Sequence, residues 1–320
     1  NYIYKKFNIK CLYMDKKLQD QFLDNFKSLK KFLPWNSVQR RNVAILKSIE
    51  LKCDIVITID DDNFLKTKNF INSHLSNLEN KNNKIVKSET KWFNICRFLE
   101  EENNNNFFHR GFPVSKKKLS NNYKFINKKN TKIAVNAGLW LEDPDVDAVT
   151  RLSQKIKVKS FKLKNNFCLN IGESSPFNSQ NTSLIAESIP AYFLSPDVGR
   201  MDDIYASYIF KKICDHLDYY VSYGYPLVLQ ERNDHNIWKD LELEKEYHEY
   251  LENFLTILNN IKINKNYQDF SSATLDLINK FDLNLKKVSI KNKDELNCFK
   301  KIIIGYRIWL QTIKKIKKLS

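Results

Sequence analysis

The stretch Cys53 to Asn63, CDIVITIDDDN, constrains this chain more than any other. An Ile/Val-rich run bounded by polar residues predicts a buried strand, and this one stops on three consecutive carboxylates, Asp60, Asp61 and Asp62. A buried strand needs covering layers. Upstream, WNSVQRRNVAILKSIELK places Val38, Asn42, Ile45 and Ile49 on one helical face, with Asn36 or Ser37 as its N-cap and Gln39 reaching back. Before that helix, FNIKCLYM reads as a short strand and DKKLQDQFLDNFKSLKKFL as an amphipathic helical connection. Strand, helix, strand is the opening of an α/β sheet.

Beyond Asp62, short strands and loops alternate through RGFPVS, KIAVNAGLWL and SFKLKNNFCLNIG to SLIAESIPAYFLSPDVGR. A helix fits MDDIYASYIFKKICDHL, with Ile204, Tyr208, Ile209, Lys212 and Ile213 at helical spacing. YYVSYGYPLVLQ reads as a strand pair turned at Gly224-Tyr225-Pro226. From about residue 236 the pattern becomes helical. Tyr247, Leu251, Phe254, Leu258 and Ile261 form one stripe, and Phe299 to Leu319 repeats it with a basic opposite face. The expected division is residues 1–235 as an α/β domain and 236–320 as an α-helical C-terminal region.

The formal charge of +16 arises from 53 Lys and Arg against 37 Asp and Glu, a field that attracts polyanions, anionic lipid or phosphorylated small molecules. Zinc-finger spacing, a helix-turn-helix and an aromatic-basic RNA signature are absent, so no nucleic-acid partner is expected. The basic segments KKIKKL and SKKKLSNNYKFINKKN offer peripheral contact with a membrane. KKIIIGYRIWLQTIKKIKKL is interrupted by Lys300, Lys301, Arg307 and Gln311 and is too charged to span one. Six cysteines lie scattered without a CxxC pair, which favours reduced thiols, and no leader is visible, so a cytoplasmic location is expected.

Ligands of open α/β sheets lie beyond the carboxyl ends of strands, where the aspartates stand. Three adjacent carboxylates repel one another, and a shared divalent cation relieves that repulsion. Hard oxygens select Mg²⁺ or Mn²⁺, whose shell is completed by diphosphate oxygens of a nucleotide; a sugar nucleotide meets that requirement. Alternatively, Asp62 or Asn63 caps a helix beginning at NFLKTKNF. His235 in RNDHN is a candidate third metal ligand. Arg40 and Arg41 either face a diphosphate or face solvent. Asp202 and Asp203 suit a helix N-terminus electrostatically. Trp140 either stacks on a sugar or base or belongs to the core, and Asn178, Gln180 and Asn181 offer amides for sugar hydroxyls or for turns.

Four segments occur together in order: ITIDDDN, HRGFPVS, NAGLWLEDPDVDAVTRL and GRMDDIYASYIFKKICDHLDYYVSYGYPLV. In that order the chain resembles the reversibly glycosylated polypeptides, also called UDP-arabinopyranose mutases, over nearly its whole length to YRIWLQTI. The resemblance implies a GT-A-like nucleotide-sugar fold with a mixed central sheet, a divalent metal at a DxD-type site, and UDP-sugar chemistry. It implies Asp60 and Asp62 as ligands of metal and diphosphate with Asp61 beside them, Arg110 as the arginine that carries or adjoins the sugar, and Asp202 and Asp203 as base or hydroxyl acceptors oriented by Arg200. PFNSQNTS and QERNDHN depart from the mutase pattern, the former towards the STELLO-like glycosyltransferases. The chain also begins where the family would have passed its first strand, so part of the uracil pocket is expected outside this sequence.

These readings predict a metal-dependent enzyme of UDP-sugars, either a mutase or a transferase to a glycan or protein acceptor. A non-catalytic nucleotide-sugar-binding or scaffold subunit is the alternative. A homo-oligomer is compatible with either.

Overall fold

In a computed structural model of the chain, residues 10–79, 81–234, 236–288 and 290–319 are described. Residues 10–14 of the expected first strand have no regular structure, and the remainder of that strand lies outside the described residues. Helices α1 (Lys16–Asp24) and α2 (Lys27–Phe32) divide the amphipathic segment. Asp15 starts α1 by accepting the Leu18 N–H at 2.8 Å. A single 3₁₀ turn, Val38–Arg40, leads into α3 (Arg41–Glu50). Asn42, Ile45 and Ile49 are buried as the helical spacing requires, whereas Val38 sits in the turn ahead of the helix and is exposed. Neither expected cap forms: Ser37 caps nothing, and Gln39 instead donates to the Gly199 carbonyl at 2.8 Å.

The strand before the aspartates is β1 (Ile55–Ile59), and Asn63–Leu65 forms β2. Helix α4 (Phe70–Leu78) begins beyond it, so neither Asp62 nor Asn63 caps a helix. The remaining strands are β3 (Lys81–Ser88), β4 (Leu99–Glu101), β5 (Tyr123–Glu142), β6 (Val158–Phe161), β7 (Phe167–Leu169), β8 (Asn181–Ile185) and β9 (Tyr219–Gln230). They make a mixed sheet in the order β1-β8-β5-β3-β7-β9-β2, with β4 and β6 attached through β5. β5 organises it: Tyr123–Thr131 pairs antiparallel with β3, Val135–Ala137 pairs with β8, and Lys132–Glu142 runs parallel to β9.

β9 is one strand through Gly224-Tyr225-Pro226, where a turned pair was expected. Pro226 lacks an N–H, yet it falls in a gap between Gly224, paired with Gly138, and Val228, paired with Trp140. No ladder bond is lost there.

Helices α5 (Ala148–Ser153) and α6 (Asp202–His216) complete the α/β part, and α7 (Ile237–Asn260), α8 (Phe270–Leu285) and α9 (Lys293–Leu319) form the C-terminal helices. Leu251, Phe254, Leu258 and Ile261 of the α7 stripe are buried. They belong to the same core as the sheet-covering elements, since Tyr205 of α6 packs tilted against Phe254 at 4.7 Å and Phe193 packs on Trp309 at 5.4 Å. Cys53, Cys96, Cys168, Cys214 and Cys298 are free thiols.

Candidate functional site

β1 ends at Ile59, and the chain turns at once. The Asp60 N–H donates to the Gln180 carbonyl at 3.2 Å, and the Asn63 N–H donates to the Asp60 carbonyl at 3.2 Å. Asp60, Asp61 and Asp62 therefore occupy the turn from β1 to β2. Arg41, at the first position of α3, faces it: Nη1 lies 3.6 Å from Asp60 Oδ1 and Nη2 lies 3.2 Å from Asp202 Oδ2, while Nη1 also donates to Ser179 Oγ.

The start of α6 supplies Asp202 and Asp203, where a helix N-terminus favours negative charge. Asp203 Oδ2 accepts from both the backbone N–H and the hydroxyl of Ser179 at 3.1 Å. Arg110 lies behind. Its Nε reaches Asp145 Oδ1 and Oδ2 at 2.9 and 3.1 Å, its Nη2 reaches Asp203 Oδ1 at 3.2 Å, and its Nη1 donates to the Arg200 carbonyl. Asn178 donates to Asp145 at 2.8 Å, and Arg232 stands 3.5 Å away. Gly111, at φ +76°, makes the approach to α6 feasible, because a Cβ there would stand 2.2 Å from Ile204.

The result is a graded ionic cluster. Arg110, Asp145, Asp202 and Asp203 are between 2% and 8% exposed, whereas the Asp60 side chain is 32% exposed, so the Asp60–Asp62 turn is the open mouth. Burial pushes the Asp60 carboxyl up to about 6; Arg41 opposes the rise, and Asp203, Asp62 and Asp145 reinforce it. Burial and Asp203 likewise raise Asp202 against the pull of Arg41. Burial disfavours the Asp145 anion, but Arg110, His109 and Arg232 outweigh it and hold that carboxyl well below the usual range. Burial opposes the Arg110 charge as well, and Asp145, Asp203 and Glu244 override it, so the guanidinium stays protonated.

Asp60, Arg41, Arg110, Asp202 and Asp203 are thus brought together, with Asp61 exposed and Asp62 alongside in the turn. Arg40 is not among them. Adjacent helical positions point about 100° apart, and Arg40 turns to α1, donating to Gln19 at 2.8 Å and lying over the Trp35 ring. Asn181 is fully buried, donating to the Leu139 carbonyl and contacting His74 of α4 at 2.9 Å. Both ends of its amide are thus engaged inside the fold rather than at the mouth. The Arg200 side chain, expected to orient Asp202 and Asp203, instead pairs with Asp240 and Glu244 of α7; only its carbonyl touches the cluster. Trp140 is fully buried beside His109. His235 lies outside the described residues.

Asp145, Ser179 and Arg232 were not singled out in advance. Asp145 had a legible signal, since LEDPDVD follows strand β5 as the three aspartates follow β1. Among the described residues no three His, Cys, Asp or Glu side chains converge on a metal position. Oxygen donors are nonetheless gathered at the mouth: the Asn63 amide donates to Asp62 Oδ1 at 2.9 Å, leaving its own Oδ1 buried without a partner. Two carboxylates and an orphaned amide oxygen are a partial donor set of the kind that hard cations take, the rest coming from ligand phosphate or water.

The profile that describes reversibly glycosylated polypeptides matches residues 48–317. This chain belongs to the reversibly glycosylated polypeptide family. UDP-arabinopyranose mutase 3 of Arabidopsis thaliana is 28% identical over 204 residues, covering 60% of this chain and 50% of the relative. UDP-arabinopyranose mutase 2 of the same plant is 27% identical over 224 residues, covering 66% and 56%. UDP-arabinopyranose mutase 1 of Oryza sativa subsp. japonica is 28% identical over 204 residues, covering 60% and 50%. The chain spans about half the length of the curated relatives it matches. Within this family member the matched stretch holds the aspartate turn, Arg110, Asp202 and Asp203, while Arg41 lies just ahead of it. No helix among the described residues is long and apolar enough to cross a membrane.

Proposed function

We propose that this protein is a UDP-sugar mutase of GT-A type that works with a divalent cation. The observation that carries the reading is the open mouth at Asp60, where a carboxyl raised to about 6 by burial and like charges stands beside the Arg41 guanidinium. Such a site gains from a ligand that brings a divalent cation and a diphosphate together, because each neutralises what the other leaves uncompensated. Asp60, Asp62 and Asn63 Oδ1 would hold a Mg²⁺ or Mn²⁺ ion, which when bound would offset charge developing on the diphosphate.

The protein's own residues do the rest. Arg41 is anchored by Asp202 and Ser179, so it presents its charge to the diphosphate in a fixed orientation. As the bond from the anomeric carbon to the diphosphate breaks, that guanidinium stabilises the departing oxygens. Asp202, with its carboxyl raised by burial, would take the proton of the sugar hydroxyl that closes the new ring on the anomeric carbon and return it to the old ring oxygen as that carbon–oxygen bond breaks, after which the diphosphate re-forms its bond to the same carbon. Arg110 acts as a positioning residue, because its nitrogens are already engaged by Asp145, Asp203 and the Arg200 carbonyl. A guanidinium held charged in this way is a poor nucleophile.

Incubation with UDP-arabinopyranose and Mn²⁺, with the nucleotide sugars separated by chromatography, tests the proposal. Conversion to the furanose form, lost on Asp62→Ala, is the expected result. Transfer of label to an added glycan or protein with no ring isomer would make the protein a transferase. Neither outcome, together with UDP binding indifferent to Mn²⁺, would leave a binding subunit.

A further inference from the structure

A cavity lies away from the aspartate turn, between α4, the antiparallel pair β3 and β5 and the loop of residues 164–166, with Tyr225 and Leu227 of β9 also lining it. Its volume of about 940 Å³ is at the upper end of small-molecule sites. Lys66, Lys81, Lys84, Lys128, Lys129 and Lys164 line it, and no carboxylate is among the described residues of its wall. The other lining groups are mostly amides and hydroxyls, which suit a polar ligand.

Two of the lysines hydrogen-bond within the fold. Lys81 donates to the Ser76 carbonyl and Asn77, and Lys128 donates to the Tyr220 hydroxyl, with Asp218 at 3.5 Å. Among the described residues no carboxylate pairs with Lys66, Lys84, Lys129 or Lys164, although exposed lysines elsewhere do find one, as Lys30 finds Asp24. Four ammonium groups from four different segments therefore line one concavity with no carboxylate partner among the described residues, Lys66 and Lys84 meeting the rings of Tyr225 and Phe125 instead. Mutual repulsion makes that arrangement unfavourable unless an anion enters, and concave walls focus the positive potential.

The floor is preformed. Asn166 is 9% exposed, donates to Asn136 Oδ1 at 2.6 Å and to Ser222 Oγ at 3.2 Å, and accepts the Tyr225 N–H at 2.9 Å. Lys128 and Lys129 belong to the basic segment that the sequence marked for membrane contact. Folded into β5, these two line a hollow whose lysines converge from several elements, a shape that suits a compact ligand better than a flat bilayer.

We propose that this cavity binds a small molecule carrying several phosphate groups, at a site separate from the UDP-sugar site and independent of that assignment. The test is calorimetric titration of the whole chain in 0.15 M salt with tripolyphosphate, inositol hexakisphosphate and inorganic phosphate as probes. Saturable one-to-one binding of the two polyphosphates, with inorganic phosphate at least about tenfold weaker, is expected. The Lys66→Ala/Lys164→Ala variant should bind about tenfold more weakly, from two lost charge contacts. The Lys66→Arg/Lys164→Arg variant should retain binding, and Arg41→Ala should leave it unchanged.

Vesicles bearing a phosphorylated inositol lipid, compared with phosphatidylserine vesicles of equal charge, identify the source of the phosphate. Selective capture by the former assigns a lipid headgroup, and uptake of soluble probes alone assigns a free metabolite. No saturable binding below 1 mM, equal binding by the double alanine variant, loss of binding in Arg41→Ala, or displacement by single-stranded RNA at lower concentration than the probes would overturn the proposal.

Discussion

Replacing Asp60 by asparagine should make the protein more stable, although the residue is placed at the centre of the proposed chemistry. The Asp60 carboxyl is raised from an ordinary 3.8 to about 6, chiefly by burial and then by Asp203, Asp62 and Asp145 against the pull of Arg41. A group whose folded pKa exceeds its unfolded value contributes nothing unfavourable below about pH 4, where both states are protonated. Its charged form penalises the fold progressively as pH rises through about 6. The full difference corresponds to roughly 3 kcal/mol. About a third of the side chain meets solvent, so screening reduces the expected gain of Asp60→Asn to about 1 kcal/mol at pH 7.5. Thermal unfolding followed by circular dichroism without divalent ions should show the variant melting about 2 °C higher at pH 7.5 and level with the parent at pH 4. The same variant should lose the Mn²⁺ dependence of UDP binding. A variant less stable than the parent at pH 7.5, or a gain that persists unchanged at pH 4, would refute the reasoning.

Other outcomes follow from the same contacts. Arg110→Ala strands Asp145 and Asp203 without their main cation, and removing one partner of a buried ion pair costs about 3–5 kcal/mol, so the melting temperature should fall by roughly 6–10 °C. His74, buried against Asn136, Asn181 and Ser183, has its pKa lowered to about 4 by burial, so stability drains away as pH falls from about 6.5 to about 4. His74→Gln should flatten that part of an acid-unfolding profile. Gly138→Ala would put a methyl 2.3 Å from Asn181 Nδ2 and 3.0 Å from the Asn181 carbonyl, and overpacking of this kind costs about 1–3 kcal/mol in denaturant titration.

Helices α3 and α6 and the C-terminal helices were legible because each carries a periodic apolar pattern that packing then uses, as Ile45 and Ile49 or Phe254 and Leu258 illustrate. By contrast, β1 forms as a strand but stands half-buried at the sheet edge with Ile59 exposed, not buried as its apolar run predicts. Asp60, Arg41, Asp202 and Asp203 were legible because charge stands at the ends of such elements. Pairing across the sheet was not. Asn181 reads in the sequence as an amide for sugar hydroxyls or for a turn, and its partner appears only when β8 sets it over α4 to meet His74. Arg40 and Arg41 are indistinguishable as letters until helix geometry sends one towards Gln19 and the other towards Asp60. Arg200 was drawn away because α7, distant in sequence, brings two carboxylates within reach.

Helix α9 closes the fold from the far end of the chain. Its Trp309 indole donates to the Ile189 carbonyl at 3.1 Å, its Tyr306 hydroxyl to Ala191 at 3.3 Å, and Lys315 to Asn25 beyond α1 at 2.7 Å. During synthesis α9 is thus made some 290 residues after an element that it helps to seat. A nascent chain halted before residue 300 would leave Phe193 and Phe32 uncovered, and such exposed aromatics are what chaperones and proteases engage.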